Sequence, residues 1–501
     1  MNAIDKAISA ISPSWGLRRE AARVRLEHLR SYAAAGTGRR TSGWRADGRS
    51  MRAETEASNA TLRMRARKMV QDNPYAASAL DKLNDYQVGT GLMPRSATGN
   101  KARDDAANRI WAEWAPKADW FRASDVYGLQ SVANRARIES GEALLRWIPL
   151  STAEMRRRGM RIPLALHVME PDYLDDSLSG RMIGGNLVDQ GIEFDADDQR
   201  VAYWLFDRHP GDVGALYIAS ANAERIDARQ IIHVYRDLRV GQIRGVTEFA
   251  SSMLRLRMLD DLEDAALEAA RVQASLAAFV TTPADPAKGP LRGTTDSESG
   301  EKRLTFRPGM IERLRPGESI AFNNPTGNAA VDAEAKRQLR AVAEGLGLTY
   351  DILTGDLTGA NYSSLRAGRL VFKRRLESLQ WNCLIPRMAQ PMWDTVMATA
   401  QAMGYLPATD GAWPVKWSPP RFEMLDPGAE MKALKEGVRD GFVTMPQAIG
   451  ELGWDPDEQL AEIAAWNAKA DAAGIVLDTD PRHIAGASGS AQPPDTAVAV
   501  A

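Results

Sequence analysis

The sequence predicts an α+β fold, mainly helical with short β-strands. Three observations predict it. Apolar residues recur at helical spacing from Glu54 to about residue 140 and again over a long stretch from Val246. Between Gly141 and Tyr235 the texture changes to short β-like runs separated by turn residues. The 501 residues are 44% hydrophobic and 26% charged, which is ordinary globular composition and enough for two to four packed units at about 100–200 residues each.

Residues Met1 to Ile11 mix Asp5 and Lys6 with Ile4, Ile8 and Ile11, without the continuous apolar stretch of a signal peptide. They read as a short amphipathic helix ending before Pro13. Residues 1–52 form an N-terminal basic arm, with Arg18-Arg19, Arg23, Arg25 and then Gly36-Thr37-Gly38-Arg39-Arg40. The arm fits contact with a neighbouring subunit, contact with nucleic acid, or a solvated leader.

From Glu54 a helix places Leu62, Met69 and Val70 on one face with Arg63, Arg65, Arg67 and Lys68 around the rest. Asp72-Asn73-Pro74 breaks it, because proline disfavours helix at the residue before it. A second helix runs from Pro74 to the glycine stop at Gly89-Thr90-Gly91. Further helices are expected at Lys101 to Trp114 and Leu129 to Ser140. Strands are expected at Ala143 to Pro149, Leu164 to Glu170, Gly191 to Phe194, Val201 to Phe206 and Gln230 to Tyr235, with an Asp-rich hairpin turn at Asp195 to Arg200.

The strongest element is Val246 to Val280, where Phe249, Met253, Leu256, Leu259, Leu262, Ala266, Leu267 and Ala270 keep helical spacing opposite Arg257, Asp260, Asp261, Asp264, Glu268 and Arg271. Such a helix would be about 50 Å long. That length suits packing against something elongated, such as its own copies in a ring. Pro283 to Glu301 reads as a mobile loop, followed by strands at Arg303 to Phe306 and Ile311 to Leu314. A helix spans Asp332 to Gly345, a turn-rich loop Leu353 to Ser364, and a basic helix Leu365 to Ile385, stopped by Pro386. A helical pair lies within Glu430 to Ala473. The tail 475–501 is Ala, Gly, Ser, Pro and Thr without period and reads as disordered.

Charge and motifs narrow the chemistry. With 63 basic and 65 acidic residues the net charge is −2, so no overall basic field draws the chain to nucleic acid. No apolar run approaches the roughly 18 residues of a membrane span. The single cysteine, Cys383, rules out an intrachain disulfide and reads as an inert buried thiol. The 13 Trp outnumber the 10 Phe and the 11 Tyr, a composition that fits either wet-edged subunit contacts or large cores. No Gly-Lys pair occurs, so a phosphate-binding Walker loop is absent from the sequence. Pro94 stands where a dinucleotide fingerprint starting at Gly89 needs glycine. His28, His167, His209, His233 and His483 lack metal-ligand spacing, and His167 and His233 read as satisfied core histidines. Asp195, Asp197 and Asp198 begin like a calcium loop, but Arg200 and Phe206 occupy its essential positions. Asp260, Asp261 and Asp264 read as a solvated helix face. We therefore assign no catalytic residue, no metal site and no cofactor.

Several segments, in order, resemble the lambda family of phage portal proteins. They are Gly38-Arg39-Arg40-Thr41-Ser42-Gly43-Trp44; Leu62-Arg63-x-Arg65-Ala66-Arg67 with Asn73-Pro74-Tyr75-Ala76-Ala77; Val88-Gly89-x-Gly91; and Gly141-Glu142-Ala143-Leu144. They continue with Gly191-Ile192-Glu193-Phe194, Val201-Ala202-Tyr203-Trp204, Ile232-His233-Val234-Tyr235-Arg236 and Arg239-x-Gly241-Gln242-x-Arg244-Gly245-Val246. The last is Leu353-Thr354-Gly355-Asp356 with Asn361-Tyr362-Ser363-Ser364-x-Arg366. The resemblance covers roughly residues 30 to 470.

The resemblance implies a portal-protein fold with wing, stem, clip and crown, assembling as a ring of about twelve subunits at one capsid vertex. It implies a channel through which double-stranded DNA is packaged and ejected. The implied partners are the terminase large subunit, which supplies the energy, the major capsid protein or scaffold, and head–tail connector proteins, with no membrane. The implied location is the virion, after assembly in the host cytoplasm. On this reading 53–245 is a wing-like α+β region, 246–335 a stem-type helix with clip-like loop and strands, 336–395 the tunnel loop and following helix, and 396–474 a C-terminal helical region of crown or wing. The run 191–235 is a rival for the clip. Gly355, Asp356, Thr358, Asn361, Tyr362, Ser363 and Ser364 become candidates for the loop that narrows the DNA channel. Arg366, Arg369, Lys373, Arg374 and Arg375 become channel-facing or intersubunit candidates. A head–tail adaptor or other capsid structural protein remains an alternative, as does a DNA-processing enzyme, which the missing nucleotide and metal motifs count against.

Overall fold

A computed structural model describes residues 48–212, 223–275, 329–359, 361–409, 411–420, 426–452 and 456–475, together with residues 422 and 454 and the short strands at 279–281, 294–295, 302–303, 319–321, 484–485 and 490–491. The expected N-terminal helix, most of the basic arm, most of the Pro283 to Glu301 loop and the Ile311 to Leu314 strand lie outside the described residues. The chain divides into two units, Met1–Glu54 and Thr55–Ala501. The described sheets and apolar cores all belong to the second.

Mixed helix and strand is what the chain forms. The helix Met51–Asp72 ends where expected, and Asn73 caps the next helix, Pro74–Gln87, by accepting from the Ala76 N–H at 2.9 Å. The face the first helix buries differs from the expected one. Leu62, Met69 and Val70 are only partly buried, whereas Thr55, Asn59, Arg63 and Ala66 are buried at the three- and four-residue spacing of one face. The reason is electrostatic: Arg63 is drawn inward by carboxylates, with Asp172 at 3.2 Å and Asp176 at 3.7 Å.

The helices Lys101–Trp114 and Val126–Ser140 follow, the second ended by Gly141 in the left-handed conformation. Strand Glu142–Pro149 lies central in a three-stranded antiparallel sheet between Leu164–Met169 and Ile231–Tyr235. A second antiparallel sheet is a five-stranded meander, Arg181–Ile183, Asn186–Asp189, Ile192–Phe194, Arg200–Phe206 and Ala223–Asp227. Its first two strands and its last are not expected from the sequence. A third pair, Met93–Ser96 with Val415–Ser418, ties together segments more than 300 residues apart.

The long helix is shorter than expected, Met253–Ser275, or about 35 Å. Residues 246–252 are not helical, and 248–252 form turns instead. The Glu248 N–H and the Thr247 hydroxyl both donate to the Ile138 carbonyl, which fixes this stretch against the end of the Val126–Ser140 helix. The helix runs antiparallel to Ala329–Leu346, as contacts of Ser251 with Gly345, Ser252 with Val342 and Arg255 with Gln338 show. Leu256, Leu259, Leu339 and Val342 form the seam. The expected stripe is buried only at Phe249, Met253, Leu256 and Leu259, and Leu267 is exposed.

Pro386 does not stop the basic helix. Tyr362–Leu379 runs into a π-helical segment, Gln380–Ala389, and on into Gln390–Ala402. Proline clashes with the carbonyl four residues back in an α-helix, and the wider π turn relieves the clash. The Gln390 N–H accordingly bonds the Ile385 carbonyl five residues back. At the C-terminal end three helices stand where two are expected, Pro427–Arg439, Met445–Glu451 and Pro456–Ala472. Beyond residue 475 only the pair Ile484–Ala485 and Ser490–Ala491 is described.

The largest core gathers Trp111, Trp114, Trp147, Trp393, Trp413 and Trp417 around Leu384, Met388 and Met392. Indole N–H groups are satisfied within it: Trp114 donates to the Leu164 carbonyl, Trp393 to the Trp413 carbonyl and Trp413 to Ser96 Oγ. The tryptophan excess thus serves a core first, while Trp381, Trp454 and Trp466 stay exposed.

Candidate functional site

The sequence singles out the segment 355–364. Helix Tyr350–Thr354 ends at Gly355, whose φ of +72° closes the turn as its N–H bonds the Asp351 carbonyl at 2.8 Å. Asp356 then organises the loop. Its carboxylate accepts from the Thr358 N–H at 3.0 Å, the Thr358 hydroxyl at 2.6 Å and the Tyr350 hydroxyl at 3.0 Å. The bonds from Thr358 and then Tyr350 pull its pKa down to about 2. Leu357, Thr358 and Gly359 are exposed.

Asn361 closes the loop with a capping box. Its side chain accepts from the Ser364 N–H at 2.8 Å, and the Asn361 N–H donates to Ser364 Oγ at 3.1 Å. Tyr362, Ser363 and Ser364 therefore form the first helical turn rather than part of a loop, and all three are exposed. The segment offers solvent hydroxyls, amides and one internally bonded carboxylate.

The five basic residues that follow do not share one face. Arg366 and Arg374 are exposed and make no ion pair among the described residues. Lys373 lies 3.8 Å from Glu377, one turn on. Arg369 is half-buried with its Nε enclosed and unpartnered. Arg375 lies across Gly347 and donates to the Leu346 carbonyl at 3.4 Å; a β-carbon on Gly347 would come within 1.7 Å of its guanidinium. On the inner side Phe372 meets Tyr86 edge to face with centroids 5.0 Å apart, and the buried Gln380 donates to the Gln87 carbonyl at 3.0 Å. Gln87 accepts from Arg137, and Arg137 pairs with Glu248 at 2.8 Å. The helix after the loop is thus linked to the stretch that precedes the long helix. Beside this link lies a cleft of about 440 Å³ lined by Gln87, Arg236, Glu248, Gly347, Arg375 and Cys383.

Three of the resembling motifs meet at a buried ionic hub that sequence reasoning does not single out. Glu142 is wholly buried. Its Oε1 accepts from Arg244 at 2.7 Å, and its Oε2 takes His233 Nε2 at 2.9 Å and the Gly245 N–H at 2.8 Å. Arg244 also donates to Asp176 at 2.6 Å and to the Gln190 carbonyl. Arg63 approaches from the first helix to reach Asp172 and Asp176, while Asn59 donates to the Gly245 carbonyl. Burial alone would push Glu142 up; Arg244, His233 and the Gly245 N–H outweigh it and hold the carboxylate ionised. Burial pulls His233 down to about 4, so it is neutral and donates through Nε2, with the Tyr203 hydroxyl 3.4 Å from Nδ1. Burial pushes Tyr203 up to about 12. The available signal is a charged or titratable residue set inside or against an apolar run, Glu142-Ala143-Leu144-Leu145 and Ile231-Ile232-His233-Val234.

Other candidates resolve into structure. His233 is the satisfied core histidine expected. His167 is half-buried against Phe121, and burial lowers its pKa. Asp195 accepts from the N–H groups of Asp197 and Gln199, making a hairpin tip. Cys383 is buried, donates to the Tyr235 carbonyl at 3.3 Å, and has its pKa raised by burial. Glu170, Asp172 and His209 cluster, but the Arg67 guanidinium already reaches both carboxylates at 2.8 and 2.6 Å.

Comparison with known proteins places these features in a family. The family model described as phage portal protein, lambda family, matches residues 37–380, well over half of the chain. The chain is 26% identical over 432 residues to a probable portal protein of Halomonas phage phiHAP-1, covering 81% of this chain and 79% of that one. It is 24% identical over 388 residues to portal protein B of Escherichia phage lambda, covering 68% and 69%. Among solved structures it is similar to a chain in the neck of a native gene transfer agent particle, at 14% identity and a TM-score of 0.41 over 78% of this chain and 94% of that one. The family match spans the hub, the long helix, the candidate loop and the basic helix after it, and on that match the chain belongs to the lambda family of phage portal proteins.

Proposed function

We propose that copies of this chain form a ring of about twelve subunits at one vertex of a viral capsid, and that double-stranded DNA enters and leaves through its channel. The observation that carries this reading is the family match over residues 37–380. In this reading the antiparallel pair Met253–Ser275 and Ala329–Leu346 is the stem, the strands between them belong to the clip that meets the terminase large subunit, and the sheets of 142–235 belong to the wing. Connector proteins and the capsid shell or scaffold dock on the same ring. The terminase supplies the energy, and the chain itself acts as structure.

The 355–364 segment is the part of this assembly that narrows the channel. Its chemistry supports that role. Thr358, Asn361, Tyr362, Ser363 and Ser364 present neutral hydrogen-bonding groups, which can touch a phosphate and release it without the counterion exchange that makes a lysine cluster cling. Asp356 stays ionised down to about pH 2 because Thr358 and Tyr350 hold its charge, so it adds repulsion and no grip. Of the cations that follow, Arg366, Lys373, Arg374 and Arg375 are exposed, and Arg375 is already engaged at the Leu346 carbonyl.

The test is negative-stain electron microscopy of the purified full chain together with its mass in solution. Rings of about a dozen copies with an open centre are expected. A compact dimer with a closed centre would overturn the reading.

A further inference from the structure

Two helices of this chain each present an exposed face that mixes apolar side chains with an excess of charge of one sign, acid over Arg257 on the first and base over Glu377 on the second. On Met253–Ser275 the inner face is taken by Ala329–Leu346. Its outer face carries Leu254 and Met258, 70% and 64% exposed, then Asp261, Ala265 and Glu268 at alternating four- and three-residue spacing. Between residues 260 and 268 there are five carboxylates and no base, with Arg255 and Arg257 before them and Arg271 after, the last 3.2 Å from Glu268. Asp261 and Asp264 make no ion pair among the described residues. Glu263 is raised in pKa, first by burial and then by Asp260 and Asp264 crowding it.

On Tyr362–Leu379 the inner face is taken by Phe372 and Leu376, which pack inward. The outer face carries Leu370 and Val371, 58% and 72% exposed, between Arg366 and Arg374. This helix holds five cations and one acid, Glu377. The two outer faces are complementary in charge, and each has the apolar patch that an interface core needs.

Neither face suits its own copy, because acid would meet acid and base would meet base. A contact between unlike faces of successive copies is heterologous, and a heterologous contact that repeats with a closing rotation generates a ring. We propose that the basic face of Tyr362–Leu379 on one copy docks on the acidic face of Met253–Ser275 on the next. This inference rests on the ring reading above and names the surfaces that join its subunits. It ties the helix behind the candidate channel loop of one subunit to the stem of its neighbour.

The experiment is a charge swap in the full chain, read by mass in solution and electron microscopy, with circular dichroism to verify folding. The double reversal R366E/R374E and the triple reversal D261R/D264R/E268R are each expected to lower the assembled fraction at least roughly tenfold at low salt, about 1.4 kcal/mol or more. Combining all five substitutions is expected to restore assembly. In parallel, M258C combined with L370C, treated with a short bismaleimide, is expected to give a ladder of chain multiples on a denaturing gel, absent from either single variant. Wild-type rings with reversal variants that still assemble would overturn the docking and leave the ring reading intact. Reversal variants that assemble but lose retained DNA would assign the basic face to DNA and overturn the docking. A cross-link confined within single chains would also overturn it. A wild-type chain that forms a compact dimer with a closed centre would overturn both readings.

Discussion

Glu142 and Arg244 stand 102 residues apart in sequence and meet at 2.7 Å with both side chains closed to solvent. Arg244 spans two carboxylates, Glu142 and Asp176, with one planar guanidinium. Removing it leaves a buried carboxylate facing a neutral histidine. Arg244→Ala is expected to lower stability by about 3–5 kcal/mol, the usual effect of breaking a buried pair from one side. Arg244→Lys should recover only part of this, since an ammonium cannot bridge both acids with the same geometry. Denaturant unfolding midpoints check both.

Acid should attack the same hub. Burial holds His233 down to about 4 against its ordinary 6.5. The unfolded chain therefore takes up a proton between pH 6.5 and about 4 that the folded chain refuses. The stability His233 contributes is complete above pH 6.5 and drains away as pH falls through that window. Glu142, also held below its ordinary value, acts in the same direction at lower pH. His233→Gln is expected to flatten the slope of stability against pH between 6.5 and 4, as read from thermal melts across that range. An unchanged slope would place the acid sensitivity elsewhere.

Gly141 sits at φ +96°, and a β-carbon there would lie 2.6 Å from the Val246 carbonyl carbon. The obstacle is backbone, not a flexible side chain. Gly180 also has a positive φ, +66°, but opens onto empty space. Gly180→Ala should cost only the left-handed penalty of about 1–2 kcal/mol. Gly141→Ala should cost clearly more and reduce soluble yield, because the turn that carries Gly245 into the hub must move. Melting temperatures of the two variants, compared side by side, decide the point.

The capping box at Asn361 sets where the candidate channel loop ends and the helix begins. Asn361→Ala is expected to cost about 1 kcal/mol. The effect should be local: faster hydrogen exchange at the amides of Ser363 to Arg366, with the Trp393 core unaffected. Exchange that accelerates throughout the chain would contradict a role confined to the loop boundary.

Most helices are legible in the sequence because their signals are local. Asn100 and Asn73 cap, glycines stop, and the apolar spacing between is regular, so Lys101–Trp114 is readable to the residue. The strands Arg181–Ile183 and Asn186–Asp189 escape such reading because they are only three and four residues long, the first largely exposed and the second half-buried around Val188, too short for an apolar pattern. The Gly184-Gly185 pair between them, both with positive φ, is the available hairpin signal. The long helix reads too long because Phe249 keeps helical phase while the neighbouring backbone is bound to Ile138, a contact no periodicity encodes. The start of the loop at Gly355 is readable from composition, but its end is not, because the Asn361 capping box turns Tyr362, Ser363 and Ser364 into helix. The hub is not, since Glu142, His233 and Arg244 come together only after two sheets and a turn have formed.

The unbroken helical path from Tyr362 to Ala402 has a mechanical consequence. Its C-terminal half is clamped among tryptophans and methionines, and it is braced about a quarter of the way along, where Phe372 meets Tyr86. The first ten residues extend about 15 Å beyond that brace, an overhang touched by Thr349 at Gly368 and half-buried at Arg369. This is a propped cantilever. A push on the tip at Tyr362 bends little within the overhang, since a helix of that length is stiff, and is delivered as torque to the Phe372 brace and the π segment around Pro386. The tip and the tryptophan core therefore answer to the same lever.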